Sequence, residues 1–503
     1  MRRAYSDSQT KKDSTMRKRF EQELGLGQLP IEATIINPKS KNALDELLAS
    51  LKAIYCNKEY NEQIFNILEK HINSGKKNTG RTGMDLWCIF VLAEVRLCMN
   101  LSYDVLHDLA NNHHKMRCLM GVEKGFGYDY IEFEYQNIYD NVTLLNNELV
   151  GELNKVILSF GHSEVFKKKA STALFLKSDS FAVKSNVHFP TDYNLLWDCI
   201  RRCICIVSRL QNKHKDIEGW RKIGNWKTEM KSLMRNLGQA NRSGGKNKKE
   251  KVIACAEKYL KKVQLFIKKL KEEKPSLPIT DMFDLALVVT LEHFMELLEK
   301  HIDLVDRRIL KGEIIPHKEK MFSVFETYTE WITKGKMNPS VELGKKLAIT
   351  TDQFNLIVDY QIMDDQQDRD IVIELADRIL PQHKVASWSL DKGFWRKENK
   401  EILQLVVPDV IMPKLGKRNK SEEAEEHSAL FKRLKNSHSA IESNINELEN
   451  RGLDRCPDRG LQNFQRYIAL GVSAYNLKKI GRQILKLERE ALTVIQKNIR
   501  AVA

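Results

Sequence analysis

Residues 172–187 read TALFLKSDSFAVKSNV. Leu174, Phe175 and Leu176 form an apolar run, and Phe181, Val183 and Val187 partly alternate with polar residues, which is strand patterning. Pro190 ends the strand, and a helix is expected from Tyr193 to about Leu210. Everything before this stretch reads as helical, so it decides between an all-helical protein and a mixed one. Further strands are expected at Met321–Glu326, Lys346–Thr351, Phe354–Met363, Lys384–Leu390 and Gln404–Val410, with helices at Gln366–Ile379 and Trp395–Leu403. From Leu210 to about Leu310 the pattern is helical throughout. The β segments therefore belong to one α/β domain that carries a helical insertion.

Upstream, residues 1–35 are polar and charged and read as a flexible basic arm. Leu44, Leu47, Leu48, Leu51 and Ile54 recur at helical spacing within a helix from Asn42 to about His71. Met84–Met99 reads as a buried helix, Ser102 as the N-cap of a helix over Tyr103–Ala110, and His114–Met120 as a short helix. Helix, turn, helix in a basic chain is compatible with a DNA reader. Tyr135–Phe166 reads as one further amphipathic helix. Downstream, Arg418–Glu426 reads as a charged loop, followed by long helices at Ser428–Leu448 and Phe464–Ile495.

The chain has 503 residues, 82 Lys plus Arg against 67 Asp plus Glu, a net charge of +15 and a pI near 9.2. Length implies two or three domains, and the charge favours a polyanionic partner such as nucleic acid. Lys246–Lys274 holds eleven lysines, including Lys248 and Lys249, around an apolar helical stripe. Each phosphate neutralised there would steepen the salt dependence of binding by about 0.9. Nine cysteines without a Cys-x-x-Cys pair argue against zinc and for a reducing compartment. The basic N-terminus has no apolar stretch after it, and no run of about 18 apolar residues occurs. Cytoplasmic residence, with the nucleoid, is the expectation.

Three acids stand in surroundings suited to phosphodiester chemistry. Asp179 lies where the first strand turns polar. Asp391, in VASWSLDKGF (385–394), follows a strand and precedes Gly393. Glu442, in HSAIESNINELENRG (438–452), borders the apolar stripe Ile441, Ile445 and Leu448. Carboxylates are hard oxygen ligands suited to Mg²⁺, and a pair of such ions clamps the attacking and leaving oxygens of a phosphodiester. Asp364, Asp365, Asp368 and Asp370 compete with Asp391 for the second position. Each acid alone reads as readily as a cap or an exposed side chain.

The segments DSFAVKSNVHFPTDYNLLWD (179–198), HKEKMFSVFETYTEWITKGK (317–336), HSAIESNINELENRGLDRCPDRG (438–460) and FQRYIALGVSAYNLKKIG (464–481) resemble the DDE transposases of bacterial insertion sequences. More narrowly they are similar to the ISNCY (not-classified-yet) group, over roughly residues 80–490. The resemblance implies an α+β, mostly helical protein. Its ribonuclease-H-like mixed sheet would be interrupted by a helical insertion and preceded by a helical DNA-binding region. The implied divisions are the arm 1–35, a helix-turn-helix-like region 36–168, a catalytic domain 169–205 and 311–500, and a lysine-rich insertion 206–310. Asp179, Asp391 and Glu442 would bind two Mg²⁺ or Mn²⁺ ions, and the chain would bind transposon ends and target DNA as a dimer or larger synaptic assembly. Relatives often carry Arg four residues before the Glu, Lys seven after it and a Tyr nearby. Here those positions hold His438, Glu449 and Lys435, so His438, Lys435 and Arg433 are the candidate phosphate contacts, with Lys334 and Lys336. A non-catalytic DNA-binding derivative and a simple metal-dependent nuclease are the rival readings.

Overall fold

In the computed structural model the described residues are 17–20, 29–75, 83–123, 131–169, 171–217, 219–333 and 340–502. Seven helices come first: α1 Ala43–Cys56, α2 Lys58–Ile72, α3 Leu86–Cys98, α4 Tyr103–Asn112, α5 His114–Leu119, α6 Tyr135–Val142 and α7 Asn147–Phe160. Strand β1 is Leu174–Lys184, followed by α8 Asp192–Lys213, α9 Ile223–Arg242, α10 Lys248–Glu273, α11 Met282–Val305 and β2 Glu330–Thr333. Then come β3 Val341–Thr351, β4 Ile357–Ile362, α12 Val372–Ile379, β5 Val385–Leu390, α13 Lys397–Val406 and β6 Asp409–Ile411. Helices α14 Lys420–His427, α15 Ala429–Leu448 and α16 Leu461–Val502 close the chain. Six strands lie in one mixed sheet, so the α+β, mostly helical class holds.

The chain divides into two compact units, residues 1–186 with 344–503, and residues 187–343. In the first unit β1 is central. It pairs antiparallel with β3 and parallel with β5; β4 lies antiparallel on β3, and β6 parallel on β5. Leu174, Leu176, Trp388, Leu390 and Val410 of the sheet bury one face against Val372, Leu375 and Ile379 of α12 and Leu403 of α13. The sheet is tied to α16 by Asn476, which accepts from the Ile357 N–H at 2.8 Å and donates to the Ile357 carbonyl at 3.0 Å. The N-terminal helices pack into the same unit. A Cβ on Gly481 of α16 would stand 1.6 Å from the Glu46 carbonyl oxygen of α1, so only glycine permits that backbone contact.

The second unit is chiefly the helices α8 to α11. Its core joins Cys199, Cys203 and Leu210 of α8 to Met230 and Leu237 of α9, Tyr259 and Phe266 of α10, and Leu291 and Leu298 of α11. This unit is wider than the 206–310 expected for an insertion, because the apolar stripe of α8 already faces this core from Tyr193 onward.

Several local readings change. Met321–Glu326 is not a strand: the Ser323 hydroxyl accepts from the Phe325 and Glu326 N–H groups and turns the chain. Residues 404–406 continue α13, and only 409–411 form a strand. Residues 420–427 are helical, started by the reciprocal cap of Asn419 and Glu422. The two long N-terminal helices are each broken, at Asn57 and Asn146, whose side chains cap α2 and α7. Ser102 caps α4 as expected, accepting from Val105 N–H at 3.3 Å.

Candidate active site

The first unit places the three acids through its register. The paired residues of parallel β1 and β5 run from Leu174↔Val385 to Ser178↔Leu390. Asp179 and Asp391 are next in line, on strands roughly 4.8 Å apart. Strand β5 ends there, while β1 continues to Lys184 alongside β3. Asp179 is therefore mid-strand in β1, yet it sits at the edge left where β5 stops. Asp391 keeps an extended backbone (φ −70°, ψ 166°) and caps nothing with its side chain. Gly393 serves closeness: a Cβ there would lie 2.8 Å from an Asp368 carboxylate oxygen. Asp368 also accepts from the Ser180 hydroxyl at 2.6 Å and lies 3.3 Å from Lys346 Nζ.

Helix α15 crosses the sheet beside this edge. Ser428 caps its start, and Ile441, Ile445 and Leu448 are buried, which leaves Glu442 exposed. His438 Nδ1 is 3.1 Å from the Ser389 hydroxyl on β5, and Asn444 donates to Asn355, in the β3–β4 turn, at 3.3 Å. Glu447 pairs with Lys478 and, at 2.8 Å, with Lys479 of α16, which pins the helix from behind. His438 Nε2 is buried without a hydrogen-bond partner.

These groups act on one another electrostatically. Burial pushes the Asp179 carboxyl up to about 7, against the pull of the Ser180 N–H at 2.7 Å; the charges of Asp391, Asp368 and Glu442 push it further. Burial lowers the His438 imidazole, and Asp391 and Glu442 oppose that. Asp179 is thus an acid short of cations. Among the described residues no three His, Cys, Asp or Glu side chains are already gathered closely enough to hold a metal ion.

Other expected positions fall elsewhere. Arg433 and Lys435 are exposed on α15, and Lys248 and Lys249 are exposed at the start of α10. Lys334 and Lys336 lie outside the described residues. Of the competing acids, Asp364 pairs with Lys345, and Asp370 caps Gln367 and pairs with Arg396 at 2.8 Å. Asp368 acts on Asp179, raising its carboxyl. His188 is occupied by Asp198 at 2.7 Å. The exposed face of α4 carries Asp104 and Asp108, and Arg117 of α5 is buried. The bond between Ser389 and His438 has no signal in the sequence, since its partners are 49 residues apart.

A mixed sheet whose neighbouring strands present two aspartates, with a glutamate on the helix crossing beside them, suits an enzyme acting on phosphodiesters. Residues 314–477 match the family model of the transposase DDE domain. That segment, about a third of the chain, is similar to the DDE domain of transposases. The matched segment includes Asp391, Glu442 and every strand of the first unit except β1. Neither the curated proteins nor the solved structures return a match.

Proposed function

We propose that Asp179, Asp391 and Glu442 form the catalytic site of a ribonuclease-H-like domain that cuts the ends of an insertion sequence of the ISNCY group and joins them to target DNA. The observation that carries this reading is the β1–β5 register, which puts Asp179 and Asp391 side by side. The raised Asp179 carboxyl supports it, since that group is held among three other acids. Asp391 and Glu442 have no protein hydrogen bond or ion pair among the described residues, so their oxygens remain free to bind ions. Such a donor set fits hard divalent cations. Two bound Mg²⁺ or Mn²⁺ ions would activate a water or 3′ hydroxyl and offset charge at the phosphorus. Cations held there would offset the mutual repulsion of the three carboxylates. Ser389 and His438 hold α15 so that Glu442 faces the aspartates, and Asp368 steadies Ser180 and the Gly393 turn. Arg433, Lys435, Lys248 and Lys249 supply phosphate contacts.

Recognition of terminal inverted repeats by residues 36–168, and a homodimeric or larger synaptic assembly on double-stranded DNA, belong to the same reading. The test is a strand-transfer assay on DNA carrying the element's own ends. Asp179→Asn, Asp391→Asn and Glu442→Gln should each abolish cleavage while end binding persists. Full activity of Asp391→Asn would remove it from the site. Cleavage without joining by the unaltered protein would leave a simple nuclease.

A further inference from the structure

The second unit carries a cationic ridge that its lysine-rich helix does not account for. In α10 four of the nine lysines are already paired within the unit, Lys262 with Glu229 at 2.7 Å, Lys268 with Glu272 at 3.9 Å, Lys269 with Glu273 at 3.3 Å, and Lys271 with Glu299. Helix α9 differs. Met230, Leu237 and Gly238 bury one face of it. Lys227, Lys231, Arg235 and Arg242 lie within about 80° of arc at 100° per residue, an arc that also contains the buried Gly238. All four are exposed, and none has an ion pair among the described residues. The next arc holds Asn225, Thr228, Ser232, Asn236 and Gln239, all exposed; all but Thr228, whose hydroxyl donates to the Gly224 carbonyl at 3.1 Å, can donate to phosphate oxygens. The single acid of the helix, Glu229, lies away from the ridge and is bound to Lys262. Half of the helix surface therefore offers cations and neutral donors with no carboxylate to repel an anion.

We propose that this face of α9 tracks the phosphate backbone of duplex DNA, a contact that deepens the transposase reading and rests on it. Lys227, Lys231 and Arg235 step along the helix by about 6 Å. That step is short enough for successive cations to meet neighbouring phosphates of one strand. The contact carries no base information, because every group on the face addresses phosphate.

The test uses the full chain and a duplex of arbitrary sequence, with affinity measured by fluorescence anisotropy across a salt series. Replacing Lys227, Lys231, Arg235 and Arg242 together by Gln should weaken binding at low salt. It should also make the log–log salt slope shallower by about 3 to 4, four contacts at about 0.9 each. The Lys268→Gln, Lys271→Gln pair, whose cations already face Glu272 and Glu299, serves as comparison and should change the slope by less than half as much. An unchanged slope in the fourfold variant overturns the ridge while leaving the catalytic proposal intact. So does a loss confined to acidic phospholipid vesicles. If the unaltered protein binds no duplex at all, both readings fall.

Discussion

Asp179 shows how one side chain can couple chemistry to stability. Its folded carboxyl sits near 7, against an ordinary value of 3.8, because burial and three acidic neighbours disfavour the charge. A group raised on folding takes up a proton as the chain folds. Its contribution is therefore most favourable below about pH 4 and is lost as pH rises toward 7. In metal-free protein, Asp179→Asn should remove that loss, so the variant melts higher than the parent at pH 8 and no higher at pH 4. Thermal denaturation at both pH values checks this, and a lower melting point at pH 8 would mean that the charged form is well compensated. Asp368→Asn tests a different role. Asp368 bonds to Ser180 and meets Gly393 without taking a place in the triad, so cleavage should fall by about tenfold, as expected for a partner that orients ligands, rather than disappear. Complete loss would promote Asp368 to a direct ligand.

At the scale of elements, α15 is held at three points: Ser389 to His438, Asn355 to Asn444, and α16 to Glu447. Ser389→Ala removes the hydroxyl contact to His438, the point nearest Glu442, which costs about 1 kcal/mol of stability. Cleavage should drop while DNA affinity stays level, because the serine touches the helix and not the DNA; parallel binding and cleavage assays separate the two effects. The packing of α1 on α16 tolerates no side chain at Gly481. Gly481→Val should destabilise the first unit by about 3 kcal/mol or more through backbone displacement, visible as a lowered denaturation midpoint.

For the molecule as a whole, the chain forms two units: one carries Asp179 and Asp391 at its mixed sheet, and the other is a helical body rich in lysine and arginine. If divalent ions bind the acid cluster, adding Mg²⁺ should raise the melting temperature of the parent at pH 8 by mass action. Asp179→Asn should lose most of that gain, and chelation should reverse it. No helix of the described residues is long and apolar enough to cross a membrane.

What the sequence determined by itself is local. Period-two patterning marked β1 and β5, helical spacing marked α1, α10 and α15, and the Ser102 cap stood where expected, because each is a property of a few neighbouring residues. The same local reasoning failed at Met321–Glu326, where one serine hydroxyl turned apolar residues away from a strand. It also failed at the breaks capped by Asn57 and Asn146, since a helical stripe on both sides hides a short interruption. Only the tertiary structure set these acids in space. Asp179 and Asp391 are brought level by the parallel pairing of two strands far apart in the chain, and buried Ile441, Ile445 and Leu448 set the rotation that leaves Glu442 exposed on its helix. Placement of that kind arises from long-range packing, which no window of sequence encodes.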